Sequence, residues 1–533
     1  MKKRKSTYKP LLFTTTLRNP TRMKGLLHIF KKYDKQILTN GLAEEIVAEL
    51  IRYGLYRPTK VPQSVKQKLS TTKKGHFSEV LLTDSEVEAV LKGNPQKHKE
   101  AGFDKGWPSR FATYFDFAKE LGFVYYEVGR PIEFSEIGNN LASSISVFTD
   151  NLDLMIEESS PMLEQKSFLQ ALCKYQRNNP FIRVLNDNAP LILLLQVIRK
   201  LNSDSSFNGA GISKLELPLI LYWKNNDSEA IYDRIKKLRN EYGFSPSWEI
   251  ITAICRDEIM NGEDIEREDK SIMIDYPDEF IRKMRLTGLI SLRGAGRFLD
   301  INKNEIEKVN YVLENYSEYD KFESEYEYFK YMSKIDESLY DIESKELSVE
   351  ENNKLFDKWV NHYSWNTIKT ELSSLVKRGA SKDDILKLLA HPVRLEFLTA
   401  IAIKHRYPSI KVIPNYPTDD EGIPTSTAGG QGNQGDIDCF EDSKGILVEV
   451  TMSGGRTQTM MEVWPIARHL VEFDKKVDKK SMCHFVAPNI YVDSEKQIKY
   501  VKDTEGLNIK ARSIEDFIDY IETSSKLFES ANF

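Results

Sequence analysis

The sequence predicts a multidomain α/β protein, with a mainly helical N-terminal half carrying two winged-helix-like modules, a helical linker and a C-terminal α/β domain. Three observations predict it. The chain has 533 residues, 40% hydrophobic and 11% aromatic, enough to bury more than one core. Two distant segments repeat one order of elements, described below. Near the C-terminus, "GDIDCF" and "ILVEVT" have the length and alternation of short strands, yet carry carboxylates among their apolar residues.

Composition excludes several classes. No stretch approaches the roughly 20 apolar residues of a membrane span, and the basic "MKKRKSTYKP" lacks the apolar core of a signal peptide, so a cytoplasmic protein without a membrane partner is expected. Cys173, Cys255, Cys439 and Cys483 are far apart and form no C-x-x-C pair, which argues against a disulfide framework or a zinc site.

The net charge of −5 hides an asymmetry. Residues 1–75 hold 18 Lys and Arg against 4 Asp and Glu, leaving 57 against 76 for the remainder. Such a block is compatible with a solvated tail or with phosphate binding, which releases counterions. "FTTTLRNPTRMKG" favours phosphate: Arg18, Asn19, Arg22 and Lys24 stand among hydroxyls and a turn-forming Asn-Pro, and the following "LAEEIVAELIRYGLY" is amphipathic.

The repeated segments are "YFDFAKELGFVYYEVGRPIEFSEIGNNL", from Tyr114, and "DEFIRKMRLTGLISLRGAGRFLDINKNEI", from Asp278. Each runs from an amphipathic helix to a C-cap glycine (Gly122, Gly288) and a short apolar strand. A Gly-Arg turn (Gly129-Arg130, Gly296-Arg297), a second strand and a Ser or Asn helix start follow. That order is a helix followed by a wing, and it makes Arg130 and Arg297 candidate DNA contacts beside the N-terminal ones; protein contact is the competing use of such modules. In "GISKLELPLILYW", Ser213 and Glu216 have capping-box spacing, although Pro218 falls late for a first turn.

"NYSEYDKFESEYEYFKYMSKIDESLYDIESKELSVE" has 11 acids, 4 lysines and no Gly or Pro, and reads as helical segments of a linker poorly matched to DNA. The expected domains are residues 1–145 and 146–310 for recognition, 311–385 for the linker, and 386–533 for the C-terminal domain. The loop "TSTAGGQGNQGD" lacks the Gly-Lys-Ser/Thr ending of a nucleotide P-loop.

Along the two C-terminal strands, Asp436 and Asp438 share one face, as do Leu447, Glu449 and Thr451. A carboxylate at the centre of an apolar strand is costly unless it is paired or holds a cation, and two on neighbouring strands suit Mg²⁺, which takes a few carboxylates plus water and phosphate oxygens. A hairpin with one polar face is the competing reading. Asp, twelve intervening residues and Glu resembles the PD-(D/E)xK nuclease core.

The longer run "GNQGDIDCFEDSKGILVEVTMSGGRTQTMMEVWPIARHL", with "RLEFL" and "CHFVAPNI" around it, resembles the AlwI family of type II restriction endonucleases, which includes nicking enzymes. "TLRNPTR" and "LISLRGAGRFLDIN" extend the resemblance over nearly the whole chain. It implies a Mg²⁺-dependent, type IIS-like enzyme with N-terminal DNA recognition and a C-terminal cleavage domain. Such an enzyme hydrolyses phosphodiesters of double-stranded DNA a short distance outside an asymmetric site. The alternatives are a strand-specific nicking enzyme and a non-catalytic DNA-binding regulator.

The resemblance places the metal-binding carboxylates on Asp436 and Glu449, an upstream helical acid on Glu396, and further catalytic positions on Glu462 and His469. It also implies a second cleavage domain for double-strand cutting, from a transient homodimer on DNA or a partner subunit, and a methyltransferase partner. Two departures stand out. Gly435 precedes the first Asp where the motif has Pro, a change expected to affect turn stiffness and not chemistry. Thr451 replaces the motif's Lys, so Glu462, His469 or Gln458 is expected to take its part.

Overall fold

The computed structural model describes all residues except 1–5, 11–18, 71, 73–74, 159, 183, 263–266, 319, 429–433, 442–443, 478–480 and 530–533. The first Lys/Arg run and Arg18 therefore lie outside the described residues. The fold is mixed α/β and about half helical. Its strands in chain order are β1 (Val124–Tyr125), β2 (Glu133–Phe134), β3 (Ile145–Asp150), β4 (Asp153–Glu158), β5 (Ile212–Ser213), β6 (Ile290–Arg293) and β7 (Phe298–Ile301). β8 (Lys411–Pro414), β9 (Ile437–Glu441), β10 (Lys444–Val450), β11 (Met482–Ala487) and β12 (Ile509–Ser513) complete them. No helix among the described residues is long and apolar enough to cross a membrane.

The chain divides into two compact units: residues 1–61, 84–144 and 162–345, and residues 62–83, 145–161 and 346–533. In the first, the helix Asn40–Arg52 begins where Thr39 turns extended and its hydroxyl accepts the Leu42 N–H. Phe30, from the helix Arg22–Lys31, meets Phe115 and Phe111 of the helix Trp107–Glu120 at centroid separations of 4.4 and 5.1 Å.

Both repeated segments fold in the order their glycines suggest. Trp107–Glu120 leads through Gly122 to β1, β2 and the helix Glu136–Ala142; Tyr276–Arg285 leads through Gly288 to β6, β7 and the helix Ile306–Asn315. Gly122 has φ of +72°, and a Cβ there would stand 2.4 Å from the Met332 Cβ, so conformation and packing both demand glycine. β5 joins β7 and β6 in a three-stranded antiparallel sheet.

Ser213 and Glu216 make both reciprocal capping bonds, Ser213 N–H to Glu216 Oε2 at 2.8 Å and Glu216 N–H to Ser213 Oγ at 3.2 Å. The helix itself starts only at Leu217, which places Pro218 in its first turn, where no N–H is needed. Glu216 is fully buried against Arg239, Nε to Oε1 at 2.7 Å and Nη2 to Oε2 at 2.8 Å, and the guanidinium also donates to the Ala210 and Gly211 carbonyls.

The acidic stretch is divided between the units. Its first part belongs to the first unit: Tyr328 and Phe329 are buried there, and Lys119 bonds Glu325 at 2.7 Å. The helices Val349–His362 and Trp365–Val376 belong to the second. Rings in this stretch provide apolar area that its charge count conceals.

The second unit is built on a five-stranded sheet in the order β12-β11-β10-β9-β8. β8, β9 and β10 run antiparallel, and β10, β11 and β12 parallel, so the chain must cross over twice with helices. The first crossover contains Gly455–Met461 and Val463–Val477, and the second Val492–Glu505. Val463, Ile466, Ala467, Leu470 and Phe473 recur at helical spacing and bury against Leu447, Cys483 and Phe485 of the sheet. The helix His391–Arg406 is buried along most of its length. The hairpin of β3 and β4 also belongs to this unit.

Candidate active site

The face of the sheet covered by Val463–Val477 carries the charges that the sequence singled out. Asp438 on β9 lies directly opposite Leu447 on β10, and Glu449 follows Leu447 on the same face. Asp436 immediately precedes β9 and is held by the neighbouring strand, the Val450 N–H donating to its Oδ2 at 2.7 Å. Its backbone is clamped by Asn415, whose N–H donates to the Asp436 carbonyl at 2.9 Å and whose Nδ2 donates to Gly435 O at 2.7 Å.

The covering helix brings a matching polar stripe. Glu462, His469 and Lys476 recur every seven residues, two helical turns, and so stack along one side. They meet the sheet in register. Glu462 Oε1 accepts the hydroxyls of Thr451 and Ser453, each at 2.8 Å. His469 Nδ1 lies 2.8 Å from Glu449 Oε1. Lys476 Nζ donates to Asp438 Oδ2 at 2.7 Å. Lys476 escaped the sequence reading, although its seven-residue offset from His469 was a usable signal. Glu462 is not inside a single helix: it stands at the break between Gly455–Met461 and Val463–Val477, its carbonyl accepting the Ile466 N–H.

Glu449 is buried and Asp436 half-buried. Burial, and then the charge of Glu449, push Asp436 far above the usual carboxylate range; burial, and then the charge of Glu462, do the same to Glu449. Burial also raises Glu462, against the two hydroxyls that favour its ionised form. Lys476 is engaged by Asp438, and burial lowers the pKa of His469, so that the imidazole is neutral near pH 7. A cation held by Glu449 would ionise it, and the short contact then requires the proton on Nδ1 and leaves Nε2 as the ring's acceptor.

Asp436 and Glu449 are thus like charges in mutual contact, a donor set suited to a hard divalent cation. Among the described residues no group of three or more His, Cys, Asp or Glu stands ready to hold a metal alone, so the remaining ligands would be water and substrate oxygens.

Other expected site residues are placed differently. Glu396 is buried in the helix His391–Arg406, and its Oε2 accepts the Ala428 N–H at 2.9 Å. Gln458 is also buried, with its amide spent on backbone: Nε2 donates to Ser453 O and Asn489 O, and Oε1 accepts the Tyr491 N–H. It holds the loop after β10 and has no free amide group to orient a water.

In the first unit, Asn19 Oδ1 accepts the Thr21 N–H and hydroxyl at the start of the helix Arg22–Lys31. Arg22 is half-buried and donates to Leu55 O at 3.3 Å, while Lys24 forms a mostly buried ion pair with Glu164 at 3.0 Å. Arg130, paired with Glu127, and Arg297, bonded to Phe244 O and Ser245 Oγ, are exposed.

A Cβ on Gly435 would lie 2.4 Å from Leu447 Cδ1 and 2.6 Å from Glu449 Oε1, the ends of two flexible side chains that would have to shift to admit it. Gly435→Pro, the motif's own residue, is expected to displace the Glu449 carboxylate and lower the single-turnover cleavage rate roughly 100-fold, as misplacement of a reacting group by about 1 Å does. Rate and duplex affinity measured together check this: a wild-type rate would show that the pocket yields without moving Glu449.

A family model described as AlwI restriction endonuclease matches residues 119–387 and 330–518. No curated protein matches the sequence. Among solved structures, the small subunit of the heterodimeric restriction endonuclease R.BspD6I is 20% identical over 29% of this chain and 76% of its own, with a TM-score of 0.25. Restriction endonuclease FokI is 12% identical over 94% of each chain, with a TM-score of 0.25. FokI bound to DNA is 11% identical over 98% of this chain and 96% of its own, with a TM-score of 0.23. The family match, and not these superpositions, carries the assignment.

Proposed function

The chain belongs to the AlwI restriction endonuclease family, and from that premise we propose that its N-terminal half reads an asymmetric duplex site and its C-terminal domain hydrolyses a phosphodiester a short distance outside it. It is a type II site-specific deoxyribonuclease. The observation that carries the proposed chemistry is the pair of carboxylates formed by half-buried Asp436, just before β9 and bonded by the Val450 N–H, and buried Glu449 on β10.

Asp436 and Glu449 would hold Mg²⁺ within a PD-(D/E)xK-type domain. When bound, Mg²⁺ supplies charge neutralisation at the scissile phosphate and a lowered pKa for water. The protein's own groups set the geometry. The Val450 N–H and Asn415 fix Asp436, and His469 fixes Glu449 through Nδ1 while its Nε2 can take a proton. Glu462, whose charge acts on both members of the pair, adds a third catalytic carboxylate, and Glu396 is the upstream helical acid.

Recognition is assigned to residues 1–145 and 146–310, with winged-helix-like modules at the two repeats, 311–385 as linker and 386–533 for cleavage. Arg18, Asn19, Arg22, Lys24, Arg130 and Arg297 are the proposed DNA contacts. Of the described ones, Arg130 and Arg297 are the most accessible to a phosphate. One such site cuts one strand. Double-strand cutting therefore takes a homodimer formed on DNA or a second nuclease subunit, and strand-specific nicking is the alternative with a single chain. A cytoplasmic location and a cognate methyltransferase complete the proposal.

Run-off sequencing of both strands of a plasmid digested with and without Mg²⁺ tests this reading. Metal-dependent ends at a fixed offset from one asymmetric sequence are expected, on both strands or on one. Cuts inside the recognised sequence, or undiminished cutting in EDTA, would defeat it.

A further inference from the structure

Thr451 stands where a PD-(D/E)xK core carries lysine, and it has neither charge nor base. The structure gives that position another use. Thr451 Oγ1 and Ser453 Oγ donate to the same oxygen, Glu462 Oε1, each at 2.8 Å, and the Ser453 N–H donates to Thr451 Oγ1 at 3.0 Å. Buried Gln458 grips this loop from behind, through Ser453 O at 3.1 Å and Asn489 O at 2.9 Å. Glu462 Oε2 makes no hydrogen bond among the described residues, and the charge of this carboxylate acts on both Asp436 and Glu449.

We propose that Thr451 and Ser453 are positioning residues which, by occupying one oxygen of Glu462, fix its carboxylate and leave the other oxygen to orient the attacking water. The hydroxyl-held glutamate then takes the part that lysine plays in the common motif. Two hydroxyls on one carboxylate oxygen are charge-assisted bonds, strong enough to hold a side chain that otherwise samples many rotamers. The loop is held where the two hydroxyls meet Glu462: Thr451 accepts the Ser453 N–H and Gln458 donates to its carbonyl. This inference rests on Asp436 and Glu449 being the metal-binding pair.

The test compares Thr451→Ala, Ser453→Ala, the double variant, Glu462→Ala and Asp436→Asn as full-length proteins, reading single-turnover cleavage, duplex affinity without metal, and thermal melting. Each hydroxyl deletion is expected to slow cleavage roughly 10- to 100-fold, and the double variant to approach the loss of Glu462→Ala without exceeding it. Duplex affinity and melting should stay near wild type, and Thr451→Ser and Ser453→Thr should restore most of the rate. In a crystal structure of the metal-free double variant the Glu462 carboxylate should have left its place.

The proposal is overturned by wild-type rates in the Ala variants, by a double loss greater than that of Glu462→Ala, or by an unmoved Glu462. Rates that fall only together with melting and affinity would overturn it too, because they report a merely structural loop. If Asp436→Asn still cuts, the metal-pair reading itself fails; if Asp436→Asn is inactive while the hydroxyl variants cut normally, only the positioning role fails.

Discussion

Asp436→Asn and Glu449→Gln are each expected to lower cleavage in saturating Mg²⁺ by at least about 1000-fold, about 4 kcal/mol of transition-state stabilisation, while affinity for the recognition duplex stays within about twofold of wild type. The reason lies in the pair. Each amide keeps the shape of the acid it replaces and removes one of two like charges that burial and proximity already push toward protonation. The same substitution that removes a cation ligand therefore relieves repulsion in the metal-free protein, and its melting temperature should hold or rise. Activity lost with stability kept is the pattern of a site that trades folding energy for function. Single-turnover cleavage, duplex binding in EDTA and a melting curve for each variant decide the matter. Cleavage near the wild-type rate would remove Asp436 and Glu449 from the centre of the site, and a large drop in melting temperature would make them structural.

Arg239→Met is expected to destabilise the first unit by about 3–5 kcal/mol, the cost of leaving one member of a buried ion pair without its partner. The Glu216 carboxylate has no solvent exposure and would keep only the Ser213 N–H among its described hydrogen bonds, while the Ala210 and Gly211 carbonyls would lose their guanidinium donors. Glu216→Gln with Arg239→Met should recover part of the loss, since a neutral amide needs no counterion. Chemical unfolding of the single and double variants measures both effects. A single variant within about 1 kcal/mol of wild type, or a double variant less stable than the single, would contradict the assignment of the pair as the electrostatic anchor of this unit. If this unit reads DNA, specific binding should fall with it.

Much of the molecule was legible from local chemistry alone. The carboxylates at 436, 438 and 449 were conspicuous because strand alternation puts them on one face among Ile, Leu and Val, where solvation cannot explain a charge. The glycines at 122 and 288 marked two helix ends because the left-handed conformation there is a property of one residue and its neighbours. The family's motifs supplied Glu462 and His469. All of these signals are carried within a few residues of chain.

Tertiary structure decided the rest, because it depends on side chains that meet across long separations. Lys476 reads as one more surface lysine until the helix Val463–Val477 lies across the sheet and delivers it to Asp438. Gln458 reads as a possible stand-in for the lysine until its amide is found on backbone groups of Ser453, Asn489 and Tyr491, and the contact of Glu396 Oε2 with the Ala428 N–H is equally invisible in the sequence. That Leu447 and Glu449 side-chain ends border the space a Cβ on Gly435 would take is likewise a matter of the fold. Which groups could do the chemistry is written in the residues themselves, since charge, periodicity and conformational preference are local. Which oxygen of Glu462 is held, and which residues form one unit with the sheet, were decided only by folding, since neither contact nor burial is a property of any one segment.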